Sequence, residues 1–311
     1  MTAIANRKRT PSKLRWLASC SGLFTLFLAV LFHSLAVARA GEAETFQNHV
    51  LAIGDCPPWN PQSVEICRHS IEKVVSAFAP RLEAGPDSLH MLINEGASAA
   101  ALKRKATELA NRLGPEDRLF IYANLPLGLE ETTKPDTAPG YVLELWAEEK
   151  PATAKDAIGD GTWISVSAFA AMIHAIPAGK VVLILDANNS HAINLQLLEN
   201  HSTDLKDRPE ALVSSSGAGQ SANYSADRTI SLFAKHLALA LGETEGNLME
   251  VIQVAISGTR QAAIPICAAL KEKNGQSDTG AADCNQVPEI YDPSEILGSF
   301  KLAPLPEQIQ N

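Results

Sequence analysis

A chain of 311 residues that is 46% hydrophobic and 20% charged holds enough apolar material for one large core or two small ones. Its 35 acidic residues outweigh 26 basic ones, and six of the basic residues (Arg7, Lys8, Arg9, Lys13, Arg15, Arg39) fall in the first forty, so the remainder carries a net charge near −15. A surface that acidic repels phosphate backbones and excludes nucleic acid as a partner, while it tolerates a cationic ligand.

The first forty residues have the three parts of a secretory signal peptide: the basic stretch Asn6 to Arg15, the apolar run Leu23 to Phe32, and Ala38-Arg-Ala40 before Gly41. The alternative is an uncleaved anchor, since Leu17 to Val37 could nearly span a bilayer if His33 and Ser34 were tolerated. Either way the rest of the chain is expected outside the cytoplasm, periplasmic or extracellular, touching a membrane only through an uncleaved leader. Cys20 belongs to the leader, and Cys56, Cys67, Cys267 and Cys284 remain. An even number in an exported protein predicts two disulfides; three pairings are open, of which nearest-neighbour closure is the simplest. No C-x-x-C or H-x-x-x-H spacing supports a metal site, and no cofactor is implied.

In chain order, His49 to Gly54 reads as a strand ending in the turn Asp55 to Pro61. Val64, Cys67, Ile71, Val74, Val75, Phe78 and Leu82 recur at helical spacing. Leu89 to Ile93 is a second strand, and Ser98 caps a helix marked by Leu102, Ala106, Leu109 and Leu113. Arg118 to Ala123 is a third strand, and a turn-rich loop from Leu125 to Pro139 leads to a further apolar segment, Gly140 to Trp146. Pro151 to Gly161 reads as a loop and Ser165 to Ile176 as a short helix. The aliphatic run Val181 to Leu185 is the pattern of a parallel strand buried on both faces, and it stops at Asp186 before Ala-Asn-Asn-Ser-His191. His191 to Pro209 reads as irregular, Ala211 to Ser215 as a strand, and Thr229 to Leu241 as an amphipathic helix. Leu248, Val251, Ile252 and Ala255 outline another helix. Lys271 to Asp283 reads as an exposed loop, and Gln286 to Ile290 as an edge strand before a Pro-rich tail. Strands alternating with helices predict one three-layer αβα sandwich around a mostly parallel sheet of about six strands. Ligands of such folds sit beyond the carboxyl ends of the strands, here Asp186 to His191. Trp59, Trp146 and Trp163 read as loop and core anchors.

Several stretches together resemble the caspase-like fold, and within it the bacterial metacaspase-like proteins. His49 to Gly54 is similar to the family's opening strand. Leu113-Gly-Pro-Glu-Asp-Arg-Leu-Phe-Ile-Tyr-Ala123 is similar to the strand that runs into a Ser-Gly-His-Gly turn. Trp163 to Ser167 through Leu185-Asp-Ala187 resembles the approach to Asp-Ala-Cys-His-Ser-Gly, and Ser214 to Gln220 and Asn285 to Ile290 resemble two later segments. The resemblance implies a caspase-like domain over residues 41–291, a tail over 292–311, and a Cys–His endopeptidase. It also places Leu125 at the histidine and Asn188 at the cysteine. Leucine accepts no proton and a carboxamide is a poor nucleophile, so the resemblance implies a pseudopeptidase. Asp186 matches the acid with which metacaspases recognise a basic side chain, and it either does so here or caps the following loop. No displaced dyad is expected: Ser190 and His191 are neighbours that point apart, and Cys67 and His69 cannot face each other on one helix.

Three functions follow as expectations. The first is a non-catalytic domain that binds a protein or peptide, the second a cysteine-type or otherwise rewired endopeptidase cutting after Arg or Lys, and the third a structural envelope protein.

Overall fold

The run Val181 to Leu185 gains one residue at each end to become β7 (Lys180–Asp186), the middle of a six-stranded sheet. The computed structural model describes residues 46–59, 61–130, 140–201, 209–274 and 283–305; the leader expected at 1–40 lies outside them. Beside β7 run β3 (Arg118–Asn124), β1 (Asn48–Gly54) and β2 (Leu89–Ile93) on one side, and β8 (Glu210–Ser214) and β9 (Glu289–Tyr291) on the other. All neighbours pair parallel except β8 with β9, which is antiparallel. Because strand side chains alternate faces, odd-numbered Leu51, Ile53, Leu119, Ile121, Leu183 and Leu185 feed one core, and even-numbered Val50, Ala52, Phe120, Tyr122, Val182 and Ile184 the other.

Helices cover both faces. The first is closed by α2 (Ala99–Arg112), α3 (Ala154–Gly159), α4 (Val166–His174) and α5 (Ser190–His201); the second by α1 (Pro61–Arg81), α6 (Leu232–Glu243), α7 (Leu248–Asn274) and α8 (Ile296–Ser299). The cap predicted at Ser98 forms, and Ser165 caps α4 in the same way. The Ser98 hydroxyl accepts from Ala101 N–H and Ser165 from Ala168 N–H, each satisfying one orphan donor of the first turn. Gly54 ends β1 where α1 passes so close that a Cβ would collide with Ile71. Disulfides join Cys56 to Cys67 and Cys267 to Cys284, closing loops of 11 and 17 residues, each on the order of 3 kcal/mol by chain entropy. No helix among the described residues is long and apolar enough to cross a membrane.

Four local expectations are corrected, and the tail is described in part. The stretch from His191, read as irregular, begins inside α5, because Ile193 and Leu197, four apart, drop into the core. Residues 151–161 contain α3, capped by Thr153 and anchored by buried Ala157. The loop read from Leu125 contains β4 (Leu127–Leu129), which forms a small antiparallel sheet with β5 (Tyr141–Leu143) and β6 (Ile164–Ser165). Residues 271–274 continue α7; 275–282 lie outside the described residues. Of the expected tail at 292–311, residues 292–305 are described and carry Ile296, Leu297 and Phe300 buried in the second core; 306–311 lie outside the described residues.

Candidate functional site

Three strand tips meet at the carboxyl end of the sheet. Register places Gly54 opposite Asn124 and Asn124 opposite Asp186, and the strand order reverses between β1 and β3, where open α/β sheets hold their ligands. A cavity of about 290 Å³ opens there. Leu125, Asp186 and Asn188 all line it, together with Trp59, Glu144, Tyr224 and the Cys56–Cys67 disulfide. The two positions that the family resemblance pairs therefore do share one chamber.

Asp186 is the buried acid of this cavity. It is 2% exposed. Tyr122, two residues before Asn124 on the same face of β3, donates its hydroxyl to Oδ2 at 2.7 Å. Ser231, which caps α6, donates to the same oxygen at 2.5 Å, while its N–H goes to Ser70 Oγ at 2.9 Å. Oδ1 is buried with no hydrogen-bond partner. The carboxylate thus accepts from two hydroxyls brought from β3 and α6, and not from the backbone of its own loop. Burial pushes the Asp186 carboxyl up, and the hydroxyls of Ser231, Tyr122 and Ser215 and the Asn124 amide pull against that. The same burial beside a carboxylate holds the Tyr122 phenol well above its ordinary value. A buried carboxylate oxygen with no donor is costly unless a ligand supplies one.

Asn188 is exposed, and its Oδ1 accepts from Ala222 N–H at 2.7 Å. Asn189 takes a left-handed backbone (φ 55°) that asparagine tolerates better than most residues. Its side chain accepts from Gly219 N–H at 2.6 Å and donates to Tyr141 Oη at 2.7 Å. Both amides stitch the loop after β7 to the segment after β8. Leu125 is 4% exposed and packs into the first core, presenting carbon where proton transfer would need a lone pair. Ser190 faces Ser216, its Oγ accepting from Ser216 N–H at 3.1 Å, whereas His191 Nδ1 lies 3.0 Å from Glu289 Oε2; the neighbours point apart as expected.

The second disulfide supports the cavity indirectly. Asn223 donates its side-chain amide to Cys284 O at 2.9 Å and its N–H to Gln286 Oε1 at 2.8 Å. Cys267, Asp283 and Cys284 cluster closely enough to suggest a metal site, but the two sulfurs are bonded to each other and cannot ligate.

Sequence reasoning missed Tyr122, Ser231, Glu144 and Asp55. The first two carried a signal: Tyr122 shares strand parity with Asn124, and Ser231 precedes an apolar helix pattern. Glu144 lines the cavity beside Leu125, with its N–H bonded to Pro126 O at 3.1 Å. Burial raises its carboxyl, and Lys150 offsets this in part. Asp55 follows β1, wholly buried, with neither carboxylate oxygen hydrogen-bonded.

No protein-family model matches the chain, and neither does any curated protein sequence. Among solved structures, the crystal structure of protein GSU0716 from Geobacter sulfurreducens is similar at 11% identity and a TM-score of 0.52, over 79% of this chain and 92% of that one. At that identity the likeness extends to the α/β fold alone.

Proposed function

We propose that this protein is an exported, catalytically inactive member of the caspase-like group that binds a peptide or protein through a basic side chain held by Asp186. The observation that carries the reading is Asp186, a cavity-lining residue that keeps one buried carboxylate oxygen, Oδ1, without a hydrogen-bond partner. The cavity falls at the small end of ligand-site volumes, with room for one long side chain. A guanidinium or ammonium entering it would supply the missing donor and favour the ionised carboxylate. Leu125 and Asn188 offer neither base nor thiol, and the Asn188 amide is occupied by the Ala222 N–H. The two disulfides support an oxidising compartment.

Fluorescence anisotropy with labelled peptides tests this. Arg or Lys peptides are expected to bind, and the citrulline analogue, which keeps shape and loses charge, at least tenfold more weakly. Asp186→Asn should abolish the difference. Equal binding of arginine and citrulline peptides to the wild type would sink the proposal without relying on any variant.

A rewired endopeptidase is the second reading, favoured by Glu144: a carboxyl raised by burial in the same cavity is a possible proton-transfer group. Basic fluorogenic peptides would then be hydrolysed, with turnover lost in Glu144→Gln. Absence of turnover in the wild type removes this reading and leaves the first.

A further inference from the structure

Asn188, Ala222, Asn223 and Tyr224, which wall this cavity, also wall a broader adjacent groove of about 880 Å³. Leu232 of α6 and the outer face of α7, including Pro265, Ile266 and Leu270, make it largely apolar, and Leu270 remains 40% exposed. The charged side chains on it reverse the sign of the rest of the molecule. Arg228, Lys235 and His236 line the groove, and no carboxylate does among the described residues, on a chain with nine more acidic than basic residues. Burial and the neighbouring Lys235 hold His236 below its ordinary value, so Arg228 and Lys235, both exposed, carry the charge at neutral pH. The nearby Asp227 already accepts from the Ser225 hydroxyl at 2.5 Å and the Thr229 hydroxyl at 3.0 Å.

The spacing to the first site is short. Ser231 holds Asp186, and Lys235 follows one helical turn later, roughly 6 Å along the axis. An extended peptide advances about 3.3 Å per residue, so a ligand anchored at Asp186 would reach the groove's cations within two or three residues.

We propose that this groove is a second recognition subsite for the same peptide, selecting an apolar side chain and a carboxylate two or three residues from the basic one. The inference rests on the reading of Asp186 as the basic-side-chain site. Acid in the cavity and base in the groove would fix the direction of the bound peptide, since a reversed peptide sets like charges together.

The test uses three labelled peptides at low salt: one with Arg in a Gly/Ser context, one adding Leu and Glu two and three residues away, and one with Gln for that Glu, each made in both chain directions. In one direction the Glu peptide should bind about three- to fivefold tighter than the Gln peptide, the scale of an exposed ion pair. Lys235→Glu should abolish or invert that preference while leaving the Arg-only peptide unchanged; Arg228→Glu serves the same purpose if the first variant folds poorly. Equal affinity of Glu and Gln peptides in both directions, with Arg still required, overturns the subsite and leaves the Asp186 reading standing. Failure of every Arg peptide to bind overturns both.

Discussion

Asp55→Asn should stabilise the protein, and increasingly so as pH rises. The wild-type side chain is wholly buried with neither carboxylate oxygen bonded, and burial, then the Glu144 charge, push its carboxyl from 3.8 up to about 8. A group whose folded-state pKa lies above its unfolded value contributes stability that is complete below the unfolded value and is lost as pH climbs through the folded one. The window therefore runs from about pH 4 to about pH 8. Each pH unit within it is worth about 1.4 kcal/mol, so the ceiling is roughly 5 kcal/mol. The realised figure falls below that because protein sites respond as media of effective dielectric about 20. Asparagine keeps the shape and does not titrate. Urea unfolding of both proteins with disulfides intact, at pH 4.5, 6, 7.5 and 9, should show a difference near zero at the acid end, growing by up to ~1 kcal/mol per pH unit in favour of the variant. In a Glu144→Gln background the growth should stop at lower pH, since one of the two causes is gone. A flat difference, or a wild type that is the more stable protein at pH 9, would refute the assignment of Asp55 as a protonated buried acid.

Tyr122→Phe removes one of the two hydroxyls on Asp186 and should cost about 1–3 kcal/mol, read as a lower calorimetric Tm; an unchanged Tm would mean the contact is not made. Gly54→Ala forces a Cβ into Ile71 and should destabilise by roughly 1–3 kcal/mol in urea unfolding, whereas a neutral result would show that α1 shifts freely. His90, buried and stacked on His49 with ring centroids 6.1 Å apart, is lowered from 6.5 to about 4, chiefly by burial and then by Lys105. Its contribution is present above about pH 6.5 and lost as pH falls through about 4, the opposite trend to Asp55. The stability difference between wild type and His90→Gln should therefore shrink on acidification across that window, and a pH-independent difference would disprove it.

Legibility tracked the length and regularity of each element. Val181 to Leu185 and the helical pattern from Val64 to Leu82 announced themselves because an aliphatic run and a helical period are local properties of the chain. Residues 190–201 did not: Ile193, Leu195 and Leu197 alternate as in a strand until Leu198 breaks the pattern, and α5 exists because Ile193 and Leu197 find the core. The short strands 127–129 and 141–143 were likewise invisible as a pair, since each is stabilised by the other.

What the chain determined by itself was the alternation of parallel strands and capped helices, the cysteines able to pair, and the absence of imidazole at 125 and of thiol at 188. These are matters of residue type and local spacing. The tertiary structure alone decided that Asp186 would be held by Tyr122, 64 residues away, and by Ser231, 45 away, with one oxygen left without a donor. It also set Glu144 against Asp55 and opened a cationic groove beside an acidic cavity. Proton affinity and hydrogen-bond supply depend on distances between groups remote in sequence and on the water excluded from between them, and neither quantity is written in a local pattern.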